Sequence, residues 1–323
     1  MVSIWCITYN HEPYIRQCLD GFVMQKANFR FKAIVHDDAS TDGTAEIVRE
    51  YAEKYPDIIK PILETENQYS KRDGSLERIM NEHTEGKYIA ICEGDDYWIE
   101  PLKLQKQIQF LENHPDYGLA YSLARFQKGN DIYGCHGTSD CSFEGLISYS
   151  NFPTLTRVYR RSIYDQYFSE IKPGSHNWLT WDYPMAFYFV LNSKIKFFNE
   201  FFAVYRLLEA SASHSKNKEY LFEFYDSADD VRYFFINQNN NINESQKEYL
   251  RRLVVKRNVE YKLSYCINNN LKSEAILLYR KNSQKLSFFD RIKWWIFVHS
   301  RFTYYTYATI MRSVVKFCKI AYF

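Results

Sequence analysis

Over the first third of the chain, short apolar runs alternate with segments of helical period. Residues 2–8 (VSIWCIT) form a β-rich run closed by the polar Tyr9, Asn10, His11 and Glu12. Pro13 then opens a helical pattern to about residue 25, as proline favours a first helical turn. A second run, 31–36, ends in Asp37-Asp38-Ala39-Ser40-Thr41-Asp42-Gly43-Thr44, a cluster suited to capping a helix that reaches about residue 54. Residues 58–63 predict a third strand, placed near an edge by Pro61. A helix over about 75–83 precedes the run 88–92, which stops at Glu93-Gly94-Asp95-Asp96, and Pro101 starts a helix to about 113. This alternation predicts an α/β fold with a doubly wound, mostly parallel sheet. Ligands bind such sheets beyond the carboxyl ends of the strands, and all three polar clusters fall there, so they should converge on one crevice.

The pattern then changes. Shorter strands are expected at 119–126, 154–159, 195–198 and 202–205, with a helix near 183–191. From about 218 the period is helical, in segments 219–236, 244–267 and 271–281 separated by Asn-rich turns. Composition adds that the 323 residues are 46% apolar and 25% charged, which fits a folded globular chain and excludes a disordered one. The net charge of +2 names no partner, but from Arg291 onward there are six basic residues and no acidic one. The 7 cysteines are scattered and no CxxC occurs, so a disulfide framework is not expected. The start, MVSIWCITYN, lacks the basic region and cleavage site of a signal peptide. The longest charge-free stretch in the tail, residues 302–311, is ten long, half of the ~20 a spanning helix needs. The chain is read as cytoplasmic.

Chemistry is concentrated at the strand ends. Adjacent carboxylates there are unfavourable unless a positive group faces them. Glu93, Asp95 and Asp96 are hard oxygen ligands of the kind that suit Mg²⁺ or Mn²⁺ shared with a substrate's phosphates. Neither GxxxxGK[ST] nor GxGxxG is present, so a metal is the expected partner of a diphosphate. A solvated acidic turn ahead of the helix at Pro101 is the plainer alternative. Asp37 and Asp38 suit acceptance of a ring N–H from a base such as uracil, alongside helix capping within Asp38–Asp42. Cys135-His136 with Cys141 lacks a fourth zinc ligand at sensible spacing and is read as loop.

These three motifs, in this order and spacing, resemble the family 2 glycosyltransferases, which have the GT-A fold. The resemblance covers about residues 1–115 and continues more weakly to about 214. It implies a donor site formed by Thr8, Tyr9 and Asn10, with Asp38 and then Asp37 on the nucleobase and ribose. It implies that Asp95 touches the sugar nucleotide and Asp96 holds the metal, while Glu93 stands where Asp is usual. The family's catalytic base is an Asp at the start of a helix, often preceded by Glu. Asp182 occupies that place, with Trp181 on the acceptor side where Glu is usual; capping of the 183–191 helix is its other reading. Arg206, in the segment that closes over the diphosphate in this family, suits a phosphate or a nearby carboxylate. Leu208 stands where the family often has His, so His214 becomes a candidate metal or phosphate ligand. Arg72 and Arg78 are further candidate diphosphate contacts.

The domains implied are a GT-A part at 1–214, with a nucleotide-sugar half at about 1–115 and an acceptor half at about 116–214. A helical region follows at 215–286, and a basic aromatic amphipathic tail at 287–323. Aromatic and basic residues in 288–323 suit the anionic face of a membrane, and no nucleic-acid module is recognisable. The expected activity is metal-dependent inverting transfer from a UDP-sugar to a saccharide or lipid-linked acceptor, peripheral on the inner face of the cell membrane. Two rivals are kept: a nucleotidyltransferase on a similar sheet, and a non-catalytic sugar-nucleotide-binding scaffold.

Overall fold

The computed structural model describes residues 1–71, 73–149, 151–208, 217–269 and 271–299. The chain forms two compact units, divided between residues 216 and 217. The first is built on one sheet. Strands β1 (Val2–Thr8), β2 (Phe31–Asp37), β3 (Ile59–Leu63) and β4 (Tyr88–Ile91) run parallel in the order β3-β2-β1-β4. The proline-bearing strand β3 is at the edge, as Pro61 requires. Beyond β4 the sheet is mixed. β8 (Val158–Arg160) pairs antiparallel with β4, then come β6 (Tyr117–Lys128), β9 (Lys194–Arg206) and the two-residue β5 (Tyr97–Trp98), with β7 (Asp131–His136) on β6.

Helices α1 (Glu12–Val23), α2 (Thr44–Lys54), α3 (Ser75–Glu82) and α4 (Lys103–Asn113) match the sequence expectation to within a few residues. The buried faces of β1, β2 and β4 pack through Ile4, Cys6, Val35 and Ala90 against Ile15, Leu19, Val48 and Ile108. Between β7 and β9 lie α5 (Phe143–Ser148), α6 (Arg161–Ile171) and α7 (Asp182–Asn192). Three expectations are corrected here. The segment 154–159 is not one strand, because residues Thr154–Thr156 make a 3-10 turn before β8. The two strands at 195–198 and 202–205 are one, since the register on β6 steps from Phe198 to Phe201 and Asn199-Glu200 bulge out of the ladder. Cys135 and His136 end β7 rather than lying in a loop, with the His136 ring between Phe126 and Tyr205.

The second unit holds α8 (Lys218–Gln238), α9 (Glu244–Asn268), α10 (Lys272–Asn282) and α11 (Phe288–His299). Asn243 and Gln246 form a capping box at the start of α9, each side chain bonding the other's backbone N–H at 2.9 Å. Val259, Leu263, Ala275, Trp294 and Val298 make its core. Among the described residues no helix is long and apolar enough to cross a membrane.

Candidate active site

Because β1, β2 and β4 are parallel, their carboxyl ends share one edge, and Thr8 lies level with Asp37. The chain leaves β1 through Tyr9, which is exposed, and Asn10, which takes a positive φ of 55°. Asn10 fastens two turns together: its N–H donates to Ser40 Oγ at 2.8 Å and its Oδ1 accepts the Thr41 N–H at 2.8 Å. Asp37 holds the same turn, accepting the Ser40 N–H at 3.1 Å and the Ser40 hydroxyl at 2.5 Å. Asp38 is buried and its two oxygens accept the main-chain N–H groups of Gln68 at 2.6 Å and Tyr69 at 3.0 Å. Each Asp38 oxygen keeps one further lone pair for a ligand.

The turn after β4 brings Glu93, Asp95 and Asp96 together, each with a carboxylate oxygen within 4.8 Å of the others. Gly94 permits this by close approach: a Cβ there would meet Thr8 Oγ1 at 2.6 Å and His11 Nδ1 at 3.0 Å. Both of those polar atoms are buried with no hydrogen-bond partner among the described residues. The crowding has an electrostatic consequence. Burial, with Asp95 beside it and Asp182 nearby, pushes the Glu93 carboxyl up to about 8. Burial and then Asp95 hold the Asp96 carboxyl well above the usual range. A divalent cation would relieve this repulsion, and three clustered carboxylates fit Mg²⁺ or Mn²⁺. Among the described residues this is the one group of three His, Cys, Asp or Glu placed to hold an ion.

Arg206 ends β9 beside this turn. Its main-chain N–H donates to Asp96 Oδ1 at 2.8 Å, and its guanidinium donates to the Asp95 carbonyl and to Gln17. The guanidinium carbon also lies 4.5 Å from the centre of the Tyr97 ring. Of the two expected roles, these contacts are closer to bracing the acidic turn. Arg78 is exposed on α3, with no hydrogen bond or ion pair to the carboxylates. Arg72 and His214 lie outside the described residues.

Asp182 opens α7 and makes no side-chain cap; the N-cap position is Trp181. The Asp182 side chain is 29% exposed and lies 3.4 Å from Arg157 Nη2. Its Oδ2 also accepts the Thr154 hydroxyl. Arg157 is 3% exposed, and donates to the carbonyls of Asp182 at 2.9 Å and Phe152 at 2.7 Å and to the Tyr159 hydroxyl at 3.0 Å. Trp181 lies near enough to Glu93 to favour its charged form, so the two positions that depart from the family pattern are neighbours. The structure therefore gathers Thr8, Glu93, Asp95, Asp96, Trp181, Asp182 and Arg206 in one neighbourhood. Sequence reasoning missed His11, Thr154 and Arg157. The signal for the last was an arginine inside the segment expected to be a strand, 154–159.

Comparisons with known proteins bear on the family and the fold. The sequence profile described as Glycosyl transferase family 2 matches residues 3–170. The chain belongs to that family. It is 36% identical over 178 residues to an uncharacterized protein of Mycobacterium tuberculosis, covering 53% of this chain and 51% of the relative. The chain thus spans about half the length of the curated relatives it matches first. It is 26% identical over 163 residues, 50% of this chain and 61% of the relative, to UDP-Glc:alpha-D-GlcNAc-diphosphoundecaprenol beta-1,3-glucosyltransferase WfaP of Escherichia coli. Among solved structures, S. aureus TarS residues 1–349 in complex with UDP-GlcNAc superposes with a TM-score of 0.61 at 18% identity, covering 88% of this chain and 81% of that one. The mixed sheet with flanking helices is the GT-A fold.

Proposed function

We propose that the chain is a metal-dependent inverting glycosyltransferase that moves a sugar from a UDP-sugar to a hydroxyl of a polysaccharide or lipid-linked oligosaccharide. The observation that carries this reading is that Arg157, which grips the Asp182 main chain, also accepts the Ile91 N–H on its own carbonyl, two residues before Glu93, and so ties Asp182 to the strand that bears the acidic turn. In this reading Asp182 takes the proton of the acceptor hydroxyl as that oxygen bonds to the anomeric carbon. The bond from that carbon to the diphosphate breaks, its electron pair leaves with the nucleotide, and one in-line displacement inverts the centre. Asp96 and Asp95 would hold the ion, with Glu93 next to them, and a bound divalent ion supplies charge neutralisation for the leaving diphosphate. Thr8, Tyr9, Asn10, Asp37 and Asp38 line the nucleotide end, and Trp181 the acceptor side. The TarS complex with UDP-GlcNAc and the name of the E. coli relative support a uridine donor and a lipid-linked acceptor.

Residues 1–214 then form the catalytic part, donor side about 1–115 and acceptor side about 116–214, followed by the helical region 215–286. The tail 287–323 meets an anionic membrane surface, the inner face of the cell membrane where lipid-linked acceptors lie. Its described part, α11, buries Trp294 and Val298 but leaves Phe288, Phe289, Ile292 and Trp295 exposed.

The test is thermal melting with UDP, GDP, CDP and ADP, each with Mn²⁺ and with chelator. Stabilisation by UDP only with metal, abolished in Asp96→Ala, is expected. Stabilisation by another nucleotide would redirect the donor, and no response to any of them would overturn the metal-bound nucleotide site.

A further inference from the structure

We infer that Thr154 and Arg157 are positioning residues that leave Asp182 one working oxygen, an inference that rests on Asp182 being the base. The carboxylate is half engaged inside the protein. Oδ2 accepts the Thr154 hydroxyl and faces Arg157 Nη2 at 3.4 Å, whereas Oδ1 has no hydrogen bond or ion pair among the described residues. The guanidinium is itself fixed, by the Phe152 carbonyl at 2.7 Å and the Tyr159 hydroxyl at 3.0 Å, and it also grips the Asp182 carbonyl at 2.9 Å. Side chain and main chain of the same residue are therefore held by one rigid fork.

Both holding residues come from the short segment that leads into β8. That strand pairs antiparallel with β4, and the Ile91 N–H donates to the Arg157 carbonyl at 3.3 Å, two residues before Glu93. The base and the acidic turn are thus spaced by one pair of neighbouring strands. A carboxylate free to rotate would offer either oxygen and spend time misaligned, and misplacement of a reacting group by about 1 Å can lower a rate about 100-fold. Here Oδ1 alone is left without a protein partner among the described residues, to take the acceptor proton as the new C–O bond forms and the bond to the diphosphate breaks.

Turnover is read as UDP release from UDP-glucose and UDP-N-acetylglucosamine with Mn²⁺, water serving as acceptor, and donor binding as the melting shift given by UDP with Mn²⁺. Thr154→Val is expected to lower kcat about 10-fold or more with an unchanged UDP shift, and Thr154→Ser, which restores the hydroxyl, to stay within about 3-fold of wild type. Arg157→Lys keeps the charge but not the fork, and is expected to fall with Thr154→Val. Asp182→Asn separates the two layers of the argument. If it is inactive while Thr154→Val turns over at the wild-type rate, the positioning inference is wrong and the base stands. If Asp182→Asn itself turns over normally, the base reading is wrong. A crystal structure of Thr154→Val reads the inference without turnover: a rotated Asp182 carboxylate supports it, and an unmoved one overturns it.

Discussion

The Asp96 carboxylate accepts the main-chain N–H of Arg206 at 2.8 Å, joining residues 110 positions apart in the chain. No substitution at 206 other than proline removes that bond, because the backbone makes it. The Arg206 side chain does something separate, bracing the Asp95 carbonyl and Gln17. Two variants should therefore divide the turn's roles. Asp96→Asn keeps an acceptor oxygen for the amide but loses the charge, so it should fold and lose the UDP–Mn²⁺ melting shift. Arg206→Met leaves the half-buried Asp95 carbonyl without this donor, while exposed Gln17 turns to water, and should lower stability by about 1 kcal/mol while keeping a shift. A full shift in Asp96→Asn would remove Asp96 from the metal.

Gly94 sits against Thr8 and His11 with no room for a methyl group. Gly94→Ala must push Thr8 or the acidic turn aside, at about 1–3 kcal/mol of stability, and should weaken UDP binding with it. Urea denaturation and UDP titration check both. An unchanged stability would mean the turn is looser than its contacts indicate.

Much of this site is visible in the apolar runs, because each parallel strand ends where its polar cluster begins, and Pro61 marks β3 as an edge. The resemblance to the family pointed to Asp95, Asp96 and Asp182 as candidates before any long-range contact was known. What it could not place depends on pairing between distant segments. Arg157 grips Asp182 across 25 residues only because the 152–157 segment is folded against the start of α7, which no local pattern encodes. Asn199-Glu200 read as a break between strands, yet a bulge absorbs them and β9 continues. Asp37 and Asp38 show a further limit: residue type announces a carboxylate at a strand end, but not that Ser40, Gln68 and Tyr69 already occupy much of it.

Lys103 gives a pH signature outside the site. Its side chain is fully buried over Trp98, 4.1 Å from the ring centre, and bonds Gln107 Oε1 at 2.9 Å. Burial lowers its pKa from 10.5 to about 7. Below that value folded and unfolded chains both carry the charge, and the folded one bears the full penalty of burying it. Between about 7 and the ordinary lysine value the unfolded chain binds the extra proton, so stability rises with pH. Lys103→Met lacks this rise. From pH 7 to pH 9 the wild type should gain about 2 kcal/mol relative to the variant in denaturant melts. A constant difference across that range would mean Lys103 stays charged in the fold.

The exposed side of α11 bears on where the chain works. Phe288, Ile292 and Trp295 follow one another at spacings of four and three, so they share a face, with Phe289 beside them at 81% exposure and Trp295 at 54%. Exposed Arg291 flanks that face, while Trp294 and Val298 point the other way into the core. A ridge of aromatic rings bordered by a cation suits the headgroup region of an anionic bilayer, where each basic residue adds about 1 kcal/mol. Substituting Phe288, Phe289 and Trp295 together by Ser leaves the buried face intact, so melting should stay near that of wild type. Co-sedimentation with phosphatidylglycerol-containing vesicles should fall about 10-fold, because three large side chains no longer leave water for the interface. Vesicles of phosphatidylcholine alone should capture the wild type more weakly than anionic ones. Equal capture of wild type and variant by anionic vesicles would move membrane contact away from α11.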